Sequence, residues 1–160
     1  MGIFQKKSPS KLTQNQNFLI FLFYQELNDF MENKHRNPFD IEDVNERKKQ
    51  HQINKLFIVK QKSILKDLKN DWKDGKKVVM KLFDYMENVE GMLNNAAKWV
   101  ELVLSPYFNI NDRQCLDQDR HFVMKNRFYG ANTELHIREA NELCKKITGQ
   151  TLEEIYESMK

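Results

Sequence analysis

Cysteine is scarce in this chain of 160 residues, which contains only Cys115 and Cys144. Two thiols are too few for a disulfide framework, and neither has neighbours at the ligand spacing of a zinc site. Free thiols are typical of a reducing compartment, so the sequence favours a cytoplasmic protein. We predict neither a metal nor another cofactor.

Glycine and proline are also few, with five and three residues. A sheet of many strands needs more turn residues than this, so helices are the expected elements. A hydrophobic fraction of 40% argues against disorder. We predict an all-α fold, a single compact domain of about five to six helices over residues 11–160, preceded by a loose arm at residues 1–10.

No hydrophobic run is long enough to cross a bilayer. The longest occupies residues 18–24, whereas a membrane-spanning helix needs about 20 apolar residues. Polar residues follow this run where a signal peptide would have small ones, and Lys6 stands where N-myristoylation requires Ser or Thr. The sequence therefore predicts no membrane association.

Apolar spacings of three and four predict a first helix. Thr13 can cap it, and the helix should continue to about Lys34 before Asn37 and Pro38 end it. Aromatic residues point to nearly every side of this helix. Any part of that surplus that the core does not bury would form a contact patch.

A second, longer helix is predicted to begin at a cap formed by Asp40 and to stop at Gly75. Residues 56–59 could form a short strand, but a helix also accounts for both flanks of that stretch. The residues expected on the apolar side of the helix are Ile53, Phe57, Ile64, Leu68 and Trp72.

The clearest helical pattern covers residues 78–104, where two apolar stripes predict a central helix that contacts neighbours on two faces. Further helices are predicted up to Gly130 and up to Gly149, since glycine commonly ends a helix. Thr151 and Glu154 have the spacing of a capping box and predict a short last helix.

Basic residues concentrate in the middle of the chain. Residues 47–81 contain twelve Lys or Arg and three Asp, a net charge of +9, whereas the whole chain has +3. On a helix, six lysines of this segment fall within an arc of about 60° and, if the helix is continuous, extend over about 37 Å. This lysine row consists of Lys48, Lys55, Lys62, Lys66, Lys69 and Lys73.

The lysine row is open to several interpretations. An acidic protein partner is favoured, because complementary charge speeds encounter and selects partners. Nucleic acid is the alternative, although the segment lacks the arginines and exposed aromatic residues that read bases or stack on them. The row could instead face the acidic flanks of the chain itself, or be ordinary solvated surface.

Candidate catalytic groups are present but unspecific. An acid–base pair needs side chains that converge across a pocket, whereas neighbours on a charged helix usually form a solvated face. No catalytic residue is therefore predicted, and an enzyme of the hydrolase or ribonuclease kind stays a further alternative. The groups are Glu32 with His35, Arg47 with His51, His136 with Glu139, and the cluster Asp117, Asp119, Arg120 and His121.

The sequence thus favours a non-enzymatic protein-binding module of the inhibitor, immunity or adaptor type. It would dock through the lysine row or through an aromatic patch on the first helix. The sequence leaves homo-oligomerisation open. Frequent Lys and Asn with little Gly or Pro indicate an AT-rich, bacterial or phage coding sequence.

Overall fold

The regular elements within the described residues are helices and short helical turns. The computed structural model describes residues 11–103 and 131–160, and no strand occurs among them, so the all-α prediction is confirmed. The predicted loose arm and the elements predicted within residues 104–130 lie outside the described residues. In chain order the elements are α1 (Gln14–Asp29), a π-helical turn (Phe30–Lys34), a 3-10 turn (Pro38–Asp40), α2 (Val44–Asp71), a second 3-10 turn (Lys73–Gly75), α3 (Lys76–Val103), α4 (Ala131–Thr148) and α5 (Leu152–Ser158).

The first helix begins and ends as its sequence predicts. Thr13 Oγ1 accepts a hydrogen bond from the Gln16 amide at 3.1 Å, and Gln16 Oε1 accepts one from the Thr13 amide at 2.9 Å. These reciprocal bonds satisfy two backbone donors that the first turn of a helix leaves free. The π-helical turn then extends the helix to Lys34, and the backbone becomes extended at His35.

The second helix begins later than its sequence predicts. Its cap is Asp43 instead of the predicted Asp40. The Asp43 carboxylate accepts a hydrogen bond from the Asn45 amide at 2.8 Å. Pro38 suits the first position of a helix, and with Asn37 as cap it draws Asp40 into a separate 3-10 turn. The structure also rules out the strand alternative for residues 56–59, since they lie inside α2.

A tryptophan closes the second helix. α2 ends at Asp71, and the buried Trp72 follows as its last cap residue. Gly75 lies in the next turn directly beneath the indole, where an added Cβ would come within 2.0 Å of the ring. Gly75 therefore provides space for the tryptophan after the helix has already ended.

The third helix is central, as predicted, because α2 and α4 both pack against it. Its buried side chains join those of α1 and α2 in a single cluster, to which α4 adds Ala140 and Cys144. The buried residues of α3 in this cluster are Val78, Val79, Leu82, Tyr85, Met86, Val89 and Leu93.

The predicted end of α4 and the predicted start of α5 are both confirmed. α4 ends before Gly149, whose φ of 85° is a left-handed conformation that suits glycine. Thr151 Oγ1 accepts from the Glu154 amide at 3.0 Å and Glu154 Oε1 from the Thr151 amide at 3.1 Å, so the capping box is present. α5 then lays its apolar side chains against α1.

Most of the aromatic surplus of α1 belongs to the core. Phe23 and Tyr24 are buried, and Phe21 is partly covered. Phe18 is half exposed, and it lines a shallow concavity together with Met159. The aromatic patch predicted on this helix is therefore reduced to one phenylalanine in the described chain.

Candidate docking surface on the second helix

The lysine row lies on a continuous helix over most of its length. Four of its members, Lys48, Lys55, Lys66 and Lys69, are exposed along α2, and from Lys48 to Lys69 the helix rises about 32 Å. Lys73 is also exposed but belongs to the 3-10 turn that follows the helix. The rigid part of the row is therefore shorter than the sequence predicts.

Lys62 is turned toward the carboxylates of the chain itself. Its Nζ lies 2.9 Å from Glu87 Oε1 and 2.9 Å from Glu90 Oε1, both on α3. Burial lowers the pKa of Lys62, but its hydrogen bonds to the two carboxylates outweigh burial and the net pKa is raised. Lys62 links α2 to α3, so it is not part of the free surface in which the sequence placed it.

The other five lysines of the row form no ion pair with any described residue. Two lysines outside the row behave differently: Lys49 lies 3.3 Å from Glu46, and Lys60 lies 2.8 Å from Glu26. Positive charge on this face of α2 is therefore only partly balanced by the described residues.

Three aliphatic side chains protrude within this basic surface. Ile53, Leu56 and Val59 are 37%, 69% and 60% exposed, and their spacing of three makes them neighbours on the helix surface. We call them the aliphatic ridge. Lys55 and Lys62, four residues before and three after Val59, flank it on one side.

The aliphatic ridge differs from the sequence prediction in two ways. Ile53 was expected in the core, but it lies at the edge of the buried side of α2. Leu56 and Val59 did not enter the predicted surface, although 100° per residue places Val59 about 20° from Lys48 and Lys66. The spacing of Val59 from these two lysines is therefore the sequence signal for its exposure.

Buried polar residues occupy part of the inward side of α2, so that side differs from the one that apolar spacing predicts. These side chains are Arg47, Gln50, Asn54 and Gln61, all buried. Gln50 Nε2 donates to the Lys34 carbonyl and to Asn54 Oδ1, each at 2.9 Å, and Gln61 Nε2 donates to the Phe23 carbonyl at 2.9 Å. A search for apolar spacing alone misses such residues. They follow one another at intervals of three, four and seven positions, and this helical spacing was the sequence signal that they share one side of α2.

The guanidinium of Arg47 bonds to backbone carbonyls and to a carboxylate of α3. Arg47 Nη1 donates to the carbonyls of Ile41 at 3.0 Å and Glu42 at 2.9 Å, and its Nε lies 3.3 Å from Glu101 Oε1. Arg47 and His51 both line an open groove of about 700 Å³ between α2 and α3. The hydrogen bonds of the guanidinium nevertheless hold the chain segment that leads into α2, and His51 is exposed.

The remaining candidate groups are placed as follows. His136 is half-buried beside Glu139, and its Nδ1 is enclosed without a hydrogen-bond partner among the described residues. His35 lies beside Phe30, with ring centroids 5.7 Å apart, and burial lowers its pKa, whereas Glu32 is exposed. Glu139 pairs with Lys81 at 2.6 Å. Among the described residues no cluster of three or more His, Cys, Asp or Glu could hold a metal. The cluster Asp117, Asp119, Arg120 and His121 lies outside them.

No helix within residues 11–103 and 131–160 has both the length and the apolar character that a bilayer crossing requires. In comparisons with known proteins, the chain matches no family model, no curated protein and no solved structure.

Proposed function

We propose that this protein is a non-enzymatic binding module that docks on an acidic protein partner through the exposed face of α2. The observation that supports it most is the aliphatic ridge set among lysines that have no ion-pair partner in the described chain. Inhibitor, immunity and adaptor roles would all fit a surface of this kind.

The apolar part of the surface would contribute binding free energy when a partner covers it. Leu56 and Val59 are more than half exposed, and covering apolar surface is worth about 25 cal/mol per Å² removed from water. Because the two side chains are neighbours on a rigid helix, one partner can cover both without ordering any backbone.

The charges around the ridge define the chemistry of that partner. Lys55 lies one turn before Val59, and Lys66 lies about two turns after it on the same side of α2. Neither has a carboxylate partner among the described residues, so acidic side chains around an aliphatic centre would complement them. A second copy of this chain fits less well, because a symmetric contact through α2 would bring the lysine row against itself.

Nucleic acid is disfavoured by the residues that this face lacks. Phe57 and Trp72, the aromatic residues of the basic segment, are buried and cannot stack on bases. Arg47 is occupied by backbone carbonyls. Phosphates would satisfy the lysines but would leave the aliphatic ridge uncovered.

Paired surface variants test the proposal. In affinity capture from the native cell, we expect one protein to be enriched by the parent chain and to fall at least about tenfold with either L56S/V59S or K55E/K66E. All four positions are exposed, so the fold should persist, as circular dichroism can verify. K145E/K146E, which reverses two exposed lysines on α4, is the matched control and should capture normally.

The same variants separate the alternatives. A protein whose capture survives L56S/V59S, or falls equally with K145E/K146E, would overturn the docking proposal. Salt-sensitive retention on DNA or RNA that K55E/K66E abolishes and L56S/V59S leaves intact would show the nucleic-acid alternative instead.

A further inference from the structure

The open groove between α2 and α3 has the size of a small-molecule site. Its volume of about 700 Å³ is within the range of such sites. One wall comes from the first turns of α2 and the other from the last turns of α3, and Pro38 of the first 3-10 turn also lines it. The aliphatic ridge does not line this groove, which shares only Lys48 with the lysine row.

The guanidinium of Arg47 has two N–H groups that no described residue uses. An arginine carries five such donors. The two on Nη1 donate to the carbonyls of Ile41 and Glu42, and the one on Nε donates to Glu101. Both donors on Nη2 remain, and this nitrogen is not enclosed by protein. Because Arg47 lines the groove, Nη2 offers its two donors to a guest there.

The charge of Arg47 is only partly neutralised within the described chain. The residue is 8% exposed, and a buried charge needs both a counter-charge and hydrogen bonds. Glu101 provides a counter-charge, but one of its oxygens lies 3.3 Å from Nε and its side chain is 65% exposed. A carboxylate that gripped the arginine fully would bond to two of its nitrogens at once. The guanidinium therefore has the capacity to bind a second anion.

The described lining of the groove carries a positive net charge. Lysines from both walls join Arg47, whereas Glu101 is the only carboxylate in this lining. Lys48 on α2 and Lys98 on α3 form no ion pair with any described residue. Cationic groups thus reach the groove from two helices, and one of them is held in place by backbone carbonyls.

A terminal phosphate matches this set of donors better than a carboxylate does. Near neutral pH it carries close to two negative charges and three acceptor oxygens, so it can meet a guanidinium and two ammonium groups together. A phosphodiester in a nucleic acid carries only one charge. The groove therefore favours a phosphate monoester over the backbone of DNA or RNA.

We infer that this groove binds a small organic phosphate. The phosphate oxygens would accept from Nη2 of Arg47 and pair with Lys48 and Lys98, and the organic part would lie against Pro38 and Ala97. This inference does not depend on the docking proposal for α2, because the positions substituted to test that proposal do not line the groove.

Calorimetric titration of the full chain with phenyl phosphate, at constant ionic strength, tests the inference. We expect saturable binding with a Kd below about 1 mM. Phenol lacks the charge and should bind at least about tenfold more weakly. Inorganic phosphate should bind about threefold or more weakly than phenyl phosphate, since it covers no apolar surface.

Two variants should change the affinity in opposite directions. Lys98→Gln should weaken phenyl phosphate by about fivefold, because one charge contact is lost. Glu101→Gln should strengthen it by at least about threefold, because a competing carboxylate is removed from the guanidinium. Both residues are exposed, so the variants should fold, and neither substitution disturbs the carbonyl bonds of Arg47.

The same charge changes outside the groove provide the controls. Lys146→Gln and Glu134→Gln alter exposed positions of α4 that do not line it, so both should bind as the parent does. Absence of saturable binding, equal affinity for phenol, or a Glu101→Gln variant that binds no better than Glu134→Gln would overturn the inference. Equal affinity for inorganic phosphate would overturn its organic part, because the groove would then bind a bare anion.

Discussion

Gly75 shows how a single hydrogen atom decides local packing. The indole of Trp72 occupies the space where a side chain at position 75 would begin, and Trp72 is itself buried. The indole cannot turn away without leaving the core. The requirement for glycine here is steric, because the left-handed backbone among the described glycines is found at Gly149.

Gly75→Ala should therefore destabilise the protein by about 1–3 kcal/mol, the usual cost of overpacking. Gly91→Ala is the matched control, since an added Cβ there meets nothing within 4 Å and lies inside α3. It should stabilise by about 0.5–1 kcal/mol, because alanine loses less backbone entropy than glycine in a helix. Urea unfolding curves measure both, and a destabilised Gly91→Ala or a neutral Gly75→Ala would contradict this account.

At the scale of the helices, Arg47 holds the segment that leads into α2. Its guanidinium bonds to two backbone carbonyls in the segment before the helix and to the Glu101 carboxylate of α3. The carbonyl bonds are more enclosed than the ion pair, because the Glu101 side chain is 65% exposed. Exposed ion pairs contribute little to stability, so the carbonyl bonds should dominate.

Arg47→Met should accordingly lower the free energy of unfolding by about 2–4 kcal/mol, since it leaves buried carbonyl oxygens without donors. Glu101→Gln should change it by less than about 1 kcal/mol. Chemical denaturation of the two variants distinguishes the contributions. Equal losses would show that the ion pair, and not the carbonyl bonds, holds the element.

The helices themselves were largely predictable from the sequence, because capping residues and apolar spacing act locally. Thr151 forms the capping box that its spacing from Glu154 predicts, and Thr13 caps α1 as predicted, with Gln16 completing a second box. Asp40 was misplaced because two aspartates compete for the start of α2, and Pro38 resolves the competition. Ile53 was misplaced because buried polar residues, invisible to apolar spacing, move the inward side of α2 away from it.

The candidate surface was predictable only in part. Helical angles identified the lysine row, but an angle measured on one helix does not reveal which neighbour lies opposite it. Glu87 and Glu90 stand on another helix, and they withdraw Lys62 from the row. The packing of α5 on α1 was beyond the reach of the sequence, because the two helices lie far apart along the chain and meet only in the fold.

At the scale of the whole molecule, Tyr156 joins the end of the chain to its beginning. Its ring lies 5.3 Å from that of Phe21 and 5.7 Å from that of Tyr24, and its hydroxyl donates to Gln25 Oε1 at 3.0 Å. Ring contact and hydrogen bond can be separated, because Tyr156→Phe removes only the latter.

We expect Tyr156→Ala to cost about 3–5 kcal/mol and Tyr156→Phe only about 0.5–1.5 kcal/mol. Thermal unfolding followed by circular dichroism measures the difference. If α5 is a dispensable appendage, both variants should melt with the parent, and that result would refute an anchoring role for the last helix.

Gln61 restricts how α1 and α2 can align along their length. It is completely buried, and its amide nitrogen reaches the carbonyl of Phe23 while its own oxygen has no partner. If α1 slid along α2 by one turn, about 5.4 Å, this amide would face hydrocarbon with both of its polar atoms unsatisfied. Leucines alone would permit several neighbouring alignments of nearly equal energy, whereas one glutamine makes the observed alignment the favoured one.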